Sequence, residues 1–212
     1  MKTHYKRRRF VRLLLASGGV LPLAACAAAT PTPASQPNPT APPSVPLLND
    51  DSIGLTYHPS DKTLLLADKR GLSRWRDGAW VAVDSQSKAG LSAVVVNPNL
   101  PTTMYVSGPG LGVLRSTDNG ASWKEANKGL PNLDTGALAI HSIQLETLFV
   151  WVKNDGVYST EDRGASWLRM PDKGPDDPNV RSLVHSTLPG SMKTGWVYAS
   201  TPKGIYLSMD CF

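Results

Sequence analysis

Cysteine is scarce in this chain: Cys26 and Cys211 are the only two among 212 residues. That is too few for a disulfide framework or a cysteine-built metal site. Helical periodicity is missing throughout, as are a Gly-x-Ser-x-Gly elbow and a phosphate loop. Basic charge is scarce as well, once the N-terminus is set aside. The formal net charge is +5, but six of the 22 basic side chains, Lys2, Lys6, Arg7, Arg8, Arg9 and Arg12, precede Cys26. The remaining 16 face 17 acidic side chains, a formal charge of −1. No basic stripe with interleaved aromatics is left, which excludes a nucleic-acid partner held by phosphate contacts.

What the N-terminus does contain is an address. The basic cluster leads into Leu13-Leu-Leu-Ala-Ser-Gly-Gly-Val-Leu-Pro-Leu-Ala-Ala25, an apolar stretch too short to span a bilayer but suited to a signal peptide. Residues 1–25 are therefore read as that signal. Leu23-Ala24-Ala25-Cys26 resembles a bacterial lipobox, which implies lipidation at Cys26 and a membrane contact through the lipid anchor, outside the cytoplasm. The run Arg7-Arg8-Arg9-Phe10 resembles a twin-arginine signal, and an ordinary Sec n-region is the alternative export route. Residues 26–49 then form a Pro/Thr/Ala-rich tether, with Pro31, Pro33, Pro37, Pro39, Pro42 and Pro43 favouring extended backbone over any core. With Cys26 acylated, Cys211 has no partner for an intramolecular disulfide.

Residues 50–212 are organised as a repeat. Ser116-Thr-Asp118-Asn-Gly120-Ala-Ser-Trp123 and Thr160-Glu-Asp162-Arg-Gly164-Ala-Ser-Trp167 are two copies of one pattern, 44 residues apart. Around them a glycine anchor recurs at Gly71, Gly112, Gly156 and Gly204, each preceded by an apolar run: Thr63–Ala67, Thr103–Ser107, Thr147–Trp151 and Gly195–Ala199. A further strand comes before each run and ends at His58, Asn97, His141 or His185. A period near 44 predicts one four-stranded sheet per copy, stacked on its neighbours. Two degenerate boxes flank the strong ones. Asp77, Gly78 and Trp80 form a shortened turn suited to a type I′ hairpin, and Ser208 and Asp210 begin a box whose glycine and tryptophan do not follow.

The boxes resemble Asp-box, or BNR, repeats of the β-propellers found in sialidases, sortilin-type receptors, xyloglucan-degrading enzymes and photosystem II assembly factor-like proteins. The resemblance covers residues 52 to 212 and implies an all-β, propeller-like array of four-stranded blades, here about 3.7 repeats and incomplete. Truncation, a four-bladed ring, and self-association through an open propeller edge are the three readings of that length, with truncation favoured. In such a box Asp118 and Asp162 lock a turn, Gly120 and Gly164 supply positive φ, and Trp123 and Trp167 fold back over the hairpin.

Catalysis is not signalled by any of this. A sialidase needs an arginine triad and a tyrosine nucleophile, whereas Arg115 abuts one box and Arg163 lies inside the other. A glycosidase needs two facing carboxylates, and Asp50, Asp51, Asp134, Asp176 and Asp177 offer no visible pairing. His58, Asn97, His141 and His185 share a repeat position, but sheets packed about 10 Å apart keep equivalent side chains from converging on an ion. Turn initiation is the expectation for them, and neither a cofactor nor a metal is expected. Trp151 and Trp196 fall in apolar runs and are assigned to the core. The functional expectation is a binding or assembly module for a protein or glycan ligand, with a truncated carbohydrate-active propeller, a glycoside hydrolase or sialidase relative, as the alternative.

Overall fold

The computed structural model describes residues 54–83, 90–171, 174–187 and 195–208. The signal, Cys26, the tether, Asp50, Asp51, Asp210 and Cys211 all lie outside them. The fold is an all-β, four-bladed β-propeller, with no helix among the described residues. Blade 1 comprises β1 (Gly54–His58), β2 (Thr63–Asp68), β3 (Gly71–Arg76) and β4 (Ala79–Ala82). Blade 2 holds β5 (Ala93–Val96), β6 (Met104–Gly108), β7 (Gly112–Ser116) and β8 (Lys124–Glu125). Blade 3 holds β9 (Thr135–Ile140), β10 (Leu148–Val152), β11 (Gly156–Thr160) and β12 (Leu168–Arg169). Blade 4 has three described strands rather than four: β13 (Ser182–Ser186), β14 (Trp196–Thr201) and β15 (Gly204–Ser208). Within each blade the strands pair antiparallel in chain order.

Burial explains the order of the strands. The apolar runs became the second strands, and β6 and β10 are buried at every position, as strands covered on both faces must be. The first strand of each blade lies against the first strand of the next, β1 with β5, β5 with β9 and β9 with β13. At β1 and β5 the approach is close enough to demand glycine, since a Cβ on Gly54 would stand 2.7 Å from the Cα of Ala93.

Three dry cores fill the gaps between consecutive blades. Leu65, Ala67 and Leu72 of blade 1 meet Val94, Val96, Met104 and Val106 of blade 2. Ala93, Tyr105 and Val113 meet Leu138, Leu148, Val150 and Tyr158 across the second gap. Ala137, Phe149, Trp151 and Val157 meet Leu183, Val197 and Ala199 across the third. Alternation along a strand thus assigns one set of side chains to the preceding blade and the other set to the following one.

Candidate functional site

Strand direction sorts the loops to two ends of the propeller. The first strand of each blade starts at one end, which also carries the turns from second to third strand. The opposite end carries the turns after the first strands and the box turns.

The box end is built from backbone locks. Asp118 Oδ1 accepts from Ser116 Oγ and from Ser122 N, both at 2.8 Å, and Oδ2 accepts from Ser122 Oγ. Ser116 Oγ in turn accepts from Gly120 N at 2.9 Å. Asp162 repeats the pattern with Thr160 Oγ1 (2.6 Å), Ser166 N (2.8 Å) and Ser166 Oγ (2.6 Å). The hydroxyl of Ser122 or Ser166 is the main reason that each carboxyl is lowered to about 2, since donors that favour the ionised form acidify it. Gly120 and Gly164 have φ of 87° and 84°, and the residues before them, Asn119 and Arg163, are left-handed too at 61° and 62°. In the shortened turn Asp77 and Gly78 both have positive φ, 50° and 81°, the type I′ pattern, and Trp80 stands edge-on to Trp75 with centroids 5.2 Å apart. Ser208 ends β15.

The two box tryptophans differ in reach. Trp123 Nε1 donates to Gly120 O of its own turn at 3.1 Å. Trp167 Nε1 donates instead to Ala126 O, 2.7 Å away in the preceding blade. Its ring is buried in the core between blades 2 and 3.

At the same end three of the four repeat-equivalent polar residues, His58, Asn97 and His141, turn their own chain. His58 Nδ1 accepts from Asp61 N, Asn97 Oδ1 from Asn99 N and Leu100 N, and His141 Nδ1 from Ile143 N and Gln144 N. His185 Nδ1 accepts across the gap, from Ser142 N of blade 3 at 3.1 Å. The separation argued from sheet spacing fails here, because the His141 and His185 rings stack with centroids 3.7 Å apart. The first strands converge at the axis, so a 10 Å spacing holds only farther out along the blades. Burial, and then the Arg74 charge, lower the pKa of His58. Among the described residues no group of three or more His, Cys, Asp or Glu could hold a metal ion.

The opposite end holds a cleft of about 290 Å3 shared by blades 2, 3 and 4. Asp134 and Thr135 reach it from the start of β9, Trp151 and Lys153 from the end of β10, and Asn179 and Arg181 from the approach to β13. Pro109, Pro178 and Pro202 add rigid apolar edges. Lys153 Nζ stands 3.9 Å from Asp134 Oδ2, with both side chains about half exposed. Trp151 is buried, its Cδ1 edge lying under Gly136 in the cleft wall. Its Nε1 has no hydrogen-bond partner among the described residues; leaving such a donor buried and unpaired costs about 1–3 kcal/mol. Asp134 is the single carboxylate among the described lining residues. Asp177, next to the lining residue Pro178, is itself buried, accepting from Asn179 N at 2.9 Å and standing 3.9 Å from Lys203 Nζ. Arg115 and Arg163 line a different depression at the box end. Sequence reasoning named Asp134 and Trp151 only as one acid and one core aromatic among several. Lys153 and Arg181 went unnoticed.

No family model and no curated protein matches the chain. Solved structures do. A GH74 xyloglucanase from Xanthomonas campestris aligns at 19% identity and a TM-score of 0.56, over 74% of this chain and 29% of its own. An ancestral GH74 enzyme aligns at 18% identity and a TM-score of 0.55, over 75% of this chain and 22% of its own. A gluconolactonase from Xanthomonas campestris aligns at 15% identity and a TM-score of 0.52, over 73% and 57%. The chain thus spans under a third of either GH74 structure. At such identity the likeness is one of fold, a β-propeller.

Proposed function

We propose that this chain is a glycan-binding propeller of the Asp-box type, held outside the cytoplasm by a lipid on Cys26, and that it binds without cleaving. The observation that carries the reading is the cleft shared by blades 2, 3 and 4, with Asp134 as the single carboxylate among its described lining residues. Alternating acceptors and donors, Asp134, Lys153, Asn179 and Arg181, beside the apolar edges of Pro109 and Pro202 suit the hydroxyls and C–H faces of sugar rings. Hydrolysis of a glycosidic bond calls for two carboxylates about 5–9.5 Å apart, and the described lining supplies one. The neighbours named for xyloglucan and gluconolactone chemistry make carbohydrate the class to test first, and they favour the rival reading, a portion of a carbohydrate-active propeller.

Affinity electrophoresis and calorimetry of the full chain on a panel of plant and bacterial polysaccharides, xyloglucan included, test this directly. Binding without release of reducing ends is the expected result. Asp134→Ala or Lys153→Ala should weaken it about tenfold each, the worth of one charge-assisted hydrogen bond. Steady release of reducing ends would establish the rival instead, and binding of a protein but no glycan would overturn the choice of ligand. The anchor is tested separately. Cys26→Ala should move the chain from the membrane fraction to the soluble one, and unchanged membrane association would reject the lipid.

A further inference from the structure

Among the described residues the four blades meet at three internal junctions, β1 on β5, β5 on β9 and β9 on β13, which leaves one face of blade 1 and one of blade 4. On blade 1 the side chains turned away from blade 2 are Leu55, Tyr57, Leu64, Leu66, Ser73 and Trp75, as the β1–β2 and β2–β3 registers place them. Leu55 and Tyr57 are 59% and 54% exposed. On blade 4 the side chains turned away from blade 3 are Val184, Trp196, Tyr198, Ser200, Ile205 and Leu207. Val184 and Ile205 are 55% and 78% exposed. Apart from Asp68, buried at the blade 1 rim in its pair with Arg70, no described strand position on either face carries a charge. Contiguous uncharged sheet faces of this kind are uncommon on the free surface of a soluble monomer.

The two faces are also the two halves of one kind of interface. Counted from the anchor glycines, Ser73 and Trp75 of blade 1 occupy the positions of Leu114 and Ser116 in blade 2, which look back toward blade 1. Ile205 and Leu207 of blade 4 occupy the positions of Val113 and Arg115, which look forward toward blade 3. Among the described residues, then, no blade packs on the backward face of blade 1 or on the forward face of blade 4. The chain makes that backward-on-forward contact three times internally, and each time it forms a dry core.

We infer that two copies of this chain associate head to tail, blade 4 of each on blade 1 of the other, into a closed eight-bladed ring. A single such junction would leave free faces and grow into a filament, whereas two reciprocal junctions about a twofold axis consume all four faces. Eight blades is at the upper end of the usual range for propellers, about four to eight. Each face measures about 16 Å along the strands and about 15 Å across them, so the four faces offer on the order of 1,000 Å2 of flat sheet. Side-chain relief adds to that, bringing it to the roughly 1,200 Å2 at which specific interfaces begin. Glycan binding in the cleft of blades 2, 3 and 4 plays no part in this reasoning, and the two readings stand or fall apart.

Native mass spectrometry and sedimentation of the purified full chain in detergent provide the test. The expected species is a dimer of defined mass. Ile205→Asp and Tyr57→Asp each spoil both junctions of their own dimer and should give monomers with unchanged far-ultraviolet circular dichroism, both side chains being exposed in the single chain. Mixing the two variants should restore association as a one-to-one heterodimer, because one of its junctions then pairs two unaltered faces. A wild-type monomer at tens of micromolar, growth without limit, or failure of the mixed variants to pair would each overturn the closed ring.

Discussion

Replacing Trp167 by alanine is expected to cost about 3–5 kcal/mol, the range for deleting a large buried aromatic. The ring is 2% exposed and sits among Tyr105, Val113, Leu138, Leu148 and Val150, side chains of two different blades. Its loss opens a cavity in that junction and orphans the Ala126 carbonyl, now 2.7 Å from the indole nitrogen. The backbone leaves little room to collapse. Trp167 N donates to Lys128 O at 2.9 Å, and a Cβ on Gly129 would lie 2.3 Å from Trp167 O. For a domain of this size each kcal/mol shifts Tm by about 2–4 °C, so a drop on the order of 10 °C is expected in a calorimetric scan. Trp123→Ala is the internal control. That tryptophan is half-buried and bonds only its own turn among the described contacts, so about 1–2 kcal/mol is expected there. Equal losses at the two positions would show that Trp167 serves its hairpin alone and does not staple the blades.

That contrast marks what could be read from the chain. The turn chemistry was legible because it is written in residue types that the backbone requires. Gly71, Gly112, Gly156 and Gly204, all at positive φ, open β3, β7, β11 and β15, and a side chain there would be strained. The apolar runs before them were legible because strands covered on both faces need continuous hydrophobicity. The reach of a side chain is a different matter. Trp123 and Trp167 have the same local sequence, yet the indole of one bonds its own turn and that of the other reaches the preceding blade. The cleft was illegible for a related reason: Asp134, Lys153 and Arg181 come from three separate segments and share no pattern. The stacking of His141 on His185 depends on how sharply the first strands converge at the axis, a property of blade geometry. Trp196, assigned to the core from its apolar run, is half-buried on the free face of blade 4. Hydrophobicity identifies a sheet face but not whether a neighbour covers it.

The junction of blades 1 and 2 hides a charge, and that sets up the second large effect. Arg74 is 4% exposed, and its guanidinium pairs with the Asp61 carboxylate and donates to Asn119 Oδ1 at 2.7 Å. Asp61 follows the turn at His58, and Asn119 lies in the first box, so one arginine ties the box turn of blade 2 to the first turn of blade 1. Burial, with Arg76 nearby, disfavours the charge and lowers the Arg74 pKa, though a guanidinium stays protonated at any ordinary pH. Asp61→Ala therefore strands a buried cation. The expected cost is about 3 kcal/mol, the low end for breaking a buried pair because Asp61 itself is partly exposed. Arg74→Met removes the cation and fills much the same space against Leu72 and the box turn, and should cost under about 1.5 kcal/mol. In the double variant Asp61→Ala, Arg74→Met there is no charge left to strand, so its loss should be smaller than that of Asp61→Ala alone. Chemical denaturation of the three proteins measures this. Simple additivity of the two single losses would mean that the cost at Asp61 comes from its turn and not from the pair.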